Sequence, residues 1–151
     1  MNPDQPETVA HPVFGELRWE AERDVWFTQV RDATHEWIDV SVQPDEGDRF
    51  ACLDRAADLY SRALRAERQL LHTAVDNELL ELYNECWHES GWPALSADQL
   101  MAHLNLAFIQ IRPESDTPVI LSYEAGELFA GHCVDVELDR DLRYLDNNLV
   151  G

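Results

Sequence analysis

Residues 53–71 have the sequence LDRAADLYSRALRAERQLL, in which apolar side chains recur with the period of a helix. Successive spacings of four, three, four and seven residues place on one helix face Leu53, Ala57, Tyr60, Leu64 and Leu71. Charged side chains occupy most of the remaining positions. The stretch therefore predicts an amphipathic helix that buries one stripe against a second layer of structure.

The helical pattern continues beyond residue 71, with signals that divide it. Residues 73–76 have the sequence Thr-Ala-Val-Asp, which resembles a capping box with Asp in place of Glu. We expect a break near His72 and a second helix that ends near Ser90 and Gly91. Residues 96–99 form another capping box, Ser-Ala-Asp-Gln, and predict a short third helix.

Segments with a period of two lie on both sides of this helical region and predict strands. On the amino-terminal side these strands cover residues 13–20, 25–30 and 38–42. On the carboxyl-terminal side they cover residues 106–111, 119–124 and 128–138, and residues 144–150 could add a short one. Connections of hairpin length predict antiparallel pairing within each block.

The separation of strands from helices predicts an α+β fold with the order βββ-ααα-βββ. We expect an antiparallel or mixed sheet with two or three helices packed on one face. Residues 1–11 contain two prolines and little to bury, which predicts a flexible tail. Residues 12–151 then form a single domain of common size.

The charge balance limits the kinds of partner. Lys and Arg total 11, Asp and Glu total 30, and the formal net charge is −19. This negative field disfavours nucleic acid and anionic membranes, which are themselves polyanions, and favours a basic protein partner. A surface whose acidity only maintains solubility is the simpler alternative.

The cysteine spacing and the amino-terminal sequence indicate in which compartment the protein works and whether it holds a metal. The three cysteines are widely spaced and form no C-x-x-C pair, so the sequence predicts neither a disulfide framework nor a metal site. A signal-peptide pattern is missing and no apolar run reaches about 18 residues, so we expect a cytoplasmic protein without a membrane span. Phosphate-loop and dinucleotide motifs are also missing, so no cofactor is expected.

His132 is the main candidate for catalysis. If residues 128–138 form a strand, the period of two places His132 on the inward face with Val134 and Val136. A buried imidazole needs partners for both ring nitrogens. It could act as a general base with a carboxylate such as Asp76 or Glu78, or be a structural histidine held by a carboxylate or a carbonyl group.

The five tryptophans are more than a small core can enclose completely. One or two at a surface groove rimmed by acids would suit a protein interface, and edge packing around the core is the alternative. We take Trp87 and Trp92 as candidate binding residues.

Two segments carry a resemblance to a known family. The helix sequence ELLELYN (residues 78–84) and the later GELFAGHCVDV (residues 126–136) resemble the bacterial family labelled domain of unknown function 2262. The chain departs from the family pattern at Ala130, where a bulky residue is frequent. The resemblance implies a bacterial origin without an established reaction, and it marks as site residues Asn84, Gly131 and His132.

Two functional hypotheses follow. The first is a non-enzymatic interaction protein of the toxin-immunity type, which would neutralise a basic toxin through electrostatic steering and an aromatic anchor. The second is a small hydrolase-like enzyme that uses His132 with a nearby carboxylate.

Overall fold

The computed structural model describes residues 7–31, 37–44, 47–89 and 92–151. Its framework is one eight-stranded sheet in which the strands lie side by side in chain order. The strands are β1 (Thr8–His11), β2 (Gly15–Glu20), β3 (Val25–Val30), β4 (Ile38–Val42), β5 (Asn105–Ile111), β6 (Val119–Glu124), β7 (Cys133–Leu138) and β8 (Tyr144–Val150).

The sheet is mixed because two antiparallel halves meet along one parallel pair. Strands β1 to β4 are antiparallel to one another, and so are β5 to β8. Strand β4 pairs with β5 in parallel, so the chain must return to the starting end of the sheet between them. The helical region provides that return, and the expected α+β class is confirmed.

The helices cover one face of this sheet. A continuous row of side chains crosses β3 to β8 on that face. All six of its members are buried: Thr28, Val40, Ile109, Leu121, Val136 and Asn147. The stripe of α1 (Leu53–Ala74) packs against β5, β6 and β8. The packing of helices on one face is therefore as the sequence predicted.

The helical region does not divide where the sequence analysis expected. Helix α1 passes directly into a π-helical turn (Val75–Leu79), then α2 (Leu80–Leu82) and a second π-helical turn (Tyr83–Trp87). The predicted break near His72 is wrong because the Thr73 hydroxyl donates to the Gln69 carbonyl, 3.0 Å away, within the helix instead of capping a new one. The expected end at residues 90–91 lies outside the described residues.

The short helix after this region begins as predicted. Helix α3 (Ala97–Ala102) has Ser96 at its N-cap, where the Ser96 hydroxyl accepts from the Gln99 backbone at 3.2 Å. The Gln99 side chain in turn accepts from the Ser96 backbone at 2.9 Å. Both bonds of the capping box are therefore present.

The order of elements also differs from βββ-ααα-βββ, because each half of the sheet has four strands. Residues 8–11, which the sequence analysis placed in a flexible tail, form the edge strand β1 on β2. The His11 ring also hydrogen-bonds to Asp54 of α1 at 2.8 Å. These contacts hold the segment in place, and Val9 also packs against the apolar core.

The strand expected over residues 128–138 begins only at Cys133. Residues 126–131 form a turn instead, in which Ala130 and Gly131 have φ values of 53° and 84°. Left-handed residues cannot continue a strand. Phe129, which the strand pattern placed outward, is fully buried, and His132 lies just before β7 at intermediate exposure.

A buried polar pair joins the helix to the sheet. The Tyr123 hydroxyl on β6 donates to the Glu67 carboxylate on α1 at 2.7 Å, and both side chains are buried. Burial first, and then the negative charge of Glu67, raise the pKa of Tyr123 well above its usual value. The pair thus fixes α1 over β6 with the phenol protonated.

Candidate functional site

The second π-helical turn (Tyr83–Trp87) ends the long helical region and holds the first group of candidate residues. Its last backbone bond runs from the His88 N–H to the Tyr83 carbonyl at 2.8 Å, and His88 itself is extended, with ψ of 140°. π-Helical turns often occur at functional sites because they shift the direction of the side chains that follow. Here the turn directs Tyr83 into the core and leaves Trp87 half-buried.

The turn between β6 and β7 packs against this helix end through Phe129. The Phe129 ring lies 5.8 Å from the Tyr83 ring and 5.9 Å from the Trp87 ring, both edge-on. The His132 ring also meets Trp87 edge-on, at 5.8 Å. An aromatic cluster therefore fixes the turn that contains Gly131 and His132 against the helix end.

Asn84 closes the loop that follows the helix. Its side-chain amide donates to the Leu95 carbonyl and its side-chain oxygen accepts from the Leu95 N–H, each at 2.9 Å. These bonds join the helix end to the segment that enters α3. Asn84 thereby fixes both ends of the loop that contains Trp92.

A groove of about 360 Å³ opens between this loop and the β6–β7 turn. We call it the aromatic groove, and its lining includes Tyr83, Trp87, Glu89, Trp92, Glu127 and Leu128. Trp92 is 58% exposed. The structure thus brings together the candidates predicted from the sequence. Trp87 and Trp92 line the groove, and His132 touches Trp87. Asn84 holds the end of the loop, and Gly131 lies in the β6–β7 turn.

His132 is not joined to the carboxylates named for it. The Asp76 carboxylate lies 2.9 Å from the His72 ring, and Glu78 accepts from the Asn147 side chain at 3.0 Å. Within the described part of the chain, no carboxylate hydrogen-bonds to the His132 ring. The geometry expected of a histidine–carboxylate pair is not formed there.

A second and larger groove lies on the sheet face opposite α1, which we call the open face. Two rows of side chains across β3 to β8 make up this face: Gln29, Asp39, Phe108, Ser122, Asp135 and Asn148 in one row, and Phe27, Ser41, Gln110, Ile120, Glu137 and Asp146 in the other. The groove has a volume of about 830 Å³. Its lining includes Trp37, Asp39, Phe108, Ser122, Glu124 and Cys133.

Neutral side chains orient the carboxylates of the open face. Asp39 accepts from Gln29 at 2.8 Å, Asp135 from Ser122 at 2.6 Å, and Glu137 from Asn148 at 3.3 Å. Among the residues that the structure describes, none of these three carboxylates forms an ion pair with an arginine. Their negative charges are therefore held in place without being neutralised.

The sequence analysis did not propose this groove as a site, although the sequence pattern indicated that some of its residues face outward. The alternation of Asp135 and Glu137 is typical of an outward charged face, and the period of two places Trp37 and Asp39 together on the face opposite Ile38 and Val40. What the sequence could not show was that β4 and β7 lie in one sheet with only β5 and β6 between them. The closeness of β4 and β7 depends on the parallel pairing of β4 with β5.

The described residues contain neither a metal-binding cluster nor a membrane-spanning helix. No cluster of three or more His, Cys, Asp or Glu side chains with the geometry to hold a metal ion occurs in residues 7–31, 37–44, 47–89 and 92–151. Within those same residues, no helix combines the length and apolar composition that crossing a bilayer requires.

The comparison with protein families gives one match, and it covers almost the whole chain. Residues 11–149 match the family described as "Uncharacterized protein conserved in bacteria (DUF2262)". No curated protein and no solved structure matches the chain. The matched region contains both grooves and every candidate residue. The chain therefore belongs to the DUF2262 family of bacterial proteins, as its helix and Gly-His segments indicated.

Proposed function

We propose that this protein is a non-enzymatic binding protein of the toxin-immunity type, whose open face receives a basic protein partner. The observation that carries the proposal is the set of oriented carboxylates Asp39, Asp135 and Glu137 on one sheet face. Among the described residues, no helix covers this face and no arginine forms an ion pair with these three carboxylates. Fixed charges of one sign steer an oppositely charged partner and specify its orientation. Because neutral donors already hold these carboxylates, little side-chain entropy is lost when arginine or lysine side chains arrive.

The dimensions of the open face suit a protein partner. The six strands of the open face, at about 4.8 Å spacing and roughly five residues in length, span about 24 Å by 17 Å, on the order of 400 Å². That flat area is about half of the roughly 800 Å² of accessible surface that each protein contributes to a standard interface. A small ligand would leave most of such a face in water.

An aromatic anchor stands at the edge of the same face. Trp37 lines the larger groove and is 59% exposed. Tryptophan is among the residues that contribute most to binding energy when a partner covers them. The protein's own Arg31 guanidinium lies 6.0 Å from the centroid of the Trp37 ring, so this ring already holds a cation of the kind that a basic partner would bring.

The proposal includes a cytoplasmic site of action and excludes nucleic acid and anionic membranes as partners. Cys52, Cys86 and Cys133 are all free thiols, which suits a reducing compartment. The net charge of −19 repels other polyanions.

Binding to the basic proteins encoded by genes adjacent to its own tests this proposal. Affinity is measured by calorimetry at about 0.01 M and about 0.15 M salt, between which the Debye length falls from roughly 30 Å to roughly 8 Å. The open-face variant is the triple substitution Asp39→Asn, Asp135→Asn and Glu137→Gln.

A control triple removes three charges elsewhere, at exposed positions: Glu22→Gln, Glu81→Gln and Asp98→Asn. We expect the open-face triple to weaken binding by about 100-fold and to flatten its salt dependence, and the control triple to weaken it by less than about threefold. Equal losses in both triples, or no salt-dependent binding to any neighbouring product, would overturn the proposal.

A second candidate function is a small hydrolase-like enzyme that uses His132. The observation favouring it is that His132 touches Trp87, a wall of the aromatic groove, whose lining also supplies the carboxylates Glu89 and Glu127. It ranks second because the described residues form no histidine–carboxylate hydrogen bond. Hydrolysis of a panel of activated esters that is lost in His132→Ala would favour it, and activity unchanged by that substitution would exclude it.

A further inference from the structure

We propose that the aromatic groove binds a small organic cation of the quaternary ammonium class. The groove is separate from the open face, because its walls come from the helix end and from the β6–β7 turn on the side of the sheet that the helices cover. Its occupant therefore does not depend on the basic partner proposed for the open face.

The walls of the groove favour a positive charge over a neutral group. Three aromatic side chains line it, Tyr83, Trp87 and Trp92. The faces of such rings carry partial negative charge and attract cations, tryptophan most strongly. An apolar ligand would gain contact area there but none of this electrostatic attraction.

The rim adds full charges of the same sign. Glu89 and Glu127 are both exposed members of the lining, on opposite walls of the groove. No arginine is part of the lining that the described residues form. Charge complementarity therefore selects a cation and rejects phosphate or carboxylate ligands.

The size and composition of the groove select the kind of cation. A volume of about 360 Å³ holds a small molecule and is too small for a protein element. A primary ammonium is a compact and strongly hydrated charge, so it must give up bound water to reach the aromatic wall. A quaternary ammonium has no N–H group, so it can enter an aromatic wall while its charge faces the two glutamates.

One wall of the groove is fixed before any ligand arrives, because Phe129 packs against both Tyr83 and Trp87. Asn84 also holds Leu95, three residues beyond Trp92, against the helix end. A wall held in this way loses little conformational entropy when a ligand enters.

Choline, its neutral carbon isostere dimethylbutanol and methylammonium serve as probes of the whole protein. Binding is followed by calorimetry and by the indole N–H resonances of Trp87 and Trp92. We expect choline to bind with a dissociation constant on the order of 1 mM, and the other two probes to bind at least about tenfold more weakly. Equal binding of dimethylbutanol, equal or tighter binding of methylammonium, or no choline binding at about 50 mM overturns the proposal.

Two matched tryptophan variants locate the site. Trp92→Ala and Trp37→Ala remove equally exposed indoles, 58% and 59%, from the aromatic groove and from the open face. We expect Trp92→Ala to weaken choline binding by about tenfold and Trp37→Ala to leave it unchanged. Glu127→Gln should weaken it by about threefold, with a smaller loss at high salt. A loss in Trp37→Ala as large as in Trp92→Ala would contradict the assignment of the site.

Discussion

Substituting Asn84 by alanine should separate the helix end from the loop that forms one wall of the aromatic groove. The family resemblance marks Asn84 as a site residue, but the structure gives its side chain two bonds to the Leu95 backbone and a place behind the groove rather than in its lining. Its substitution should therefore affect stability, and it should affect binding only through the loop.

The size of this effect follows from the two bonds. Each is 2.9 Å long and partly buried, so each contributes about 1 kcal/mol, and the Leu95 N–H and carbonyl lose their side-chain partner in the variant. We expect Asn84→Ala to lower the free energy of unfolding by about 2–3 kcal/mol. Asn84→Asp retains an acceptor for the Leu95 N–H but places an oxygen against the Leu95 carbonyl, so about 1–2 kcal/mol should be lost.

Urea unfolding followed by circular dichroism measures these free energies. Asn77→Ala is the matched control, because Asn77 is exposed and donates one bond to the Thr73 carbonyl within the helix. It should change stability by less than about 0.5 kcal/mol. Hydrogen exchange should also increase at the Leu95 N–H and over residues 85–89 in Asn84→Ala and not in the strands. A loss no larger than that of Asn77→Ala would refute the role given to Asn84.

Three further predictions concern the core and the β6–β7 turn. Because its pKa is raised, Tyr123 keeps its proton in the folded protein at pH values above about 10, where the same side chain in the unfolded chain loses its proton. The free energy of unfolding therefore keeps the full contribution of Tyr123 below about pH 10 and falls above that pH. Tyr123→Phe should flatten that alkaline fall in the free energy of unfolding, and an unchanged fall would contradict the assignment. Phe129→Ala should cost about 3–5 kcal/mol and Leu128→Ala, beside it but half-buried, about 1 kcal/mol, as measured in urea. Gly131→Ala should lower the free energy of unfolding by about 1–2 kcal/mol in the same assay. The cause is the φ of 84° alone, since an added Cβ meets no atom within 4 Å. An unchanged free energy of unfolding would show that the turn relaxes.

The periodicities of the sequence were sufficient for the fold class and for most elements. The stripe beginning at Leu53 formed the long helix, the capping box at Ser96 formed as expected, and the helices cover one face of the sheet. The number of strands could not be predicted from the periodicity in the same way. Strand β1 has only four residues, Thr8–His11, and it forms by backbone pairing with β2, a contact that leaves no periodic signal in so short a segment.

Two local errors also have physical causes. The helix continues past residue 72 because the Thr73 hydroxyl bonds backwards to Gln69, and the π-helical turns that follow alter the period on which a sequence pattern depends. The expected strand over residues 128–138 failed at Ala130, a non-glycine residue with positive φ. Burial of Phe129 stabilises that turn, and such tertiary contacts override local patterning.

The candidate site was predicted in part. Trp87, Trp92, Gly131, His132 and Asn84 do lie together, since the helix end and the β6–β7 turn pack on each other. The carboxylates of the open face were visible as an alternating pattern, but their neighbours on other strands were not. Donors such as Gln29, Ser122 and Asn148 become partners only through the register of the sheet.

The central claim, that a basic partner occupies the open face, is tested most directly by the alkylation rates of two cysteines. Cys133 lines the larger groove, whereas Cys86 is exposed on the second π-helical turn. In the complex with a basic protein from an adjacent gene, we predict that alkylation of Cys133 slows by about tenfold or more while that of Cys86 is unchanged. Slowing at Cys86 with Cys133 unaffected would place the partner on the helical side and contradict the account.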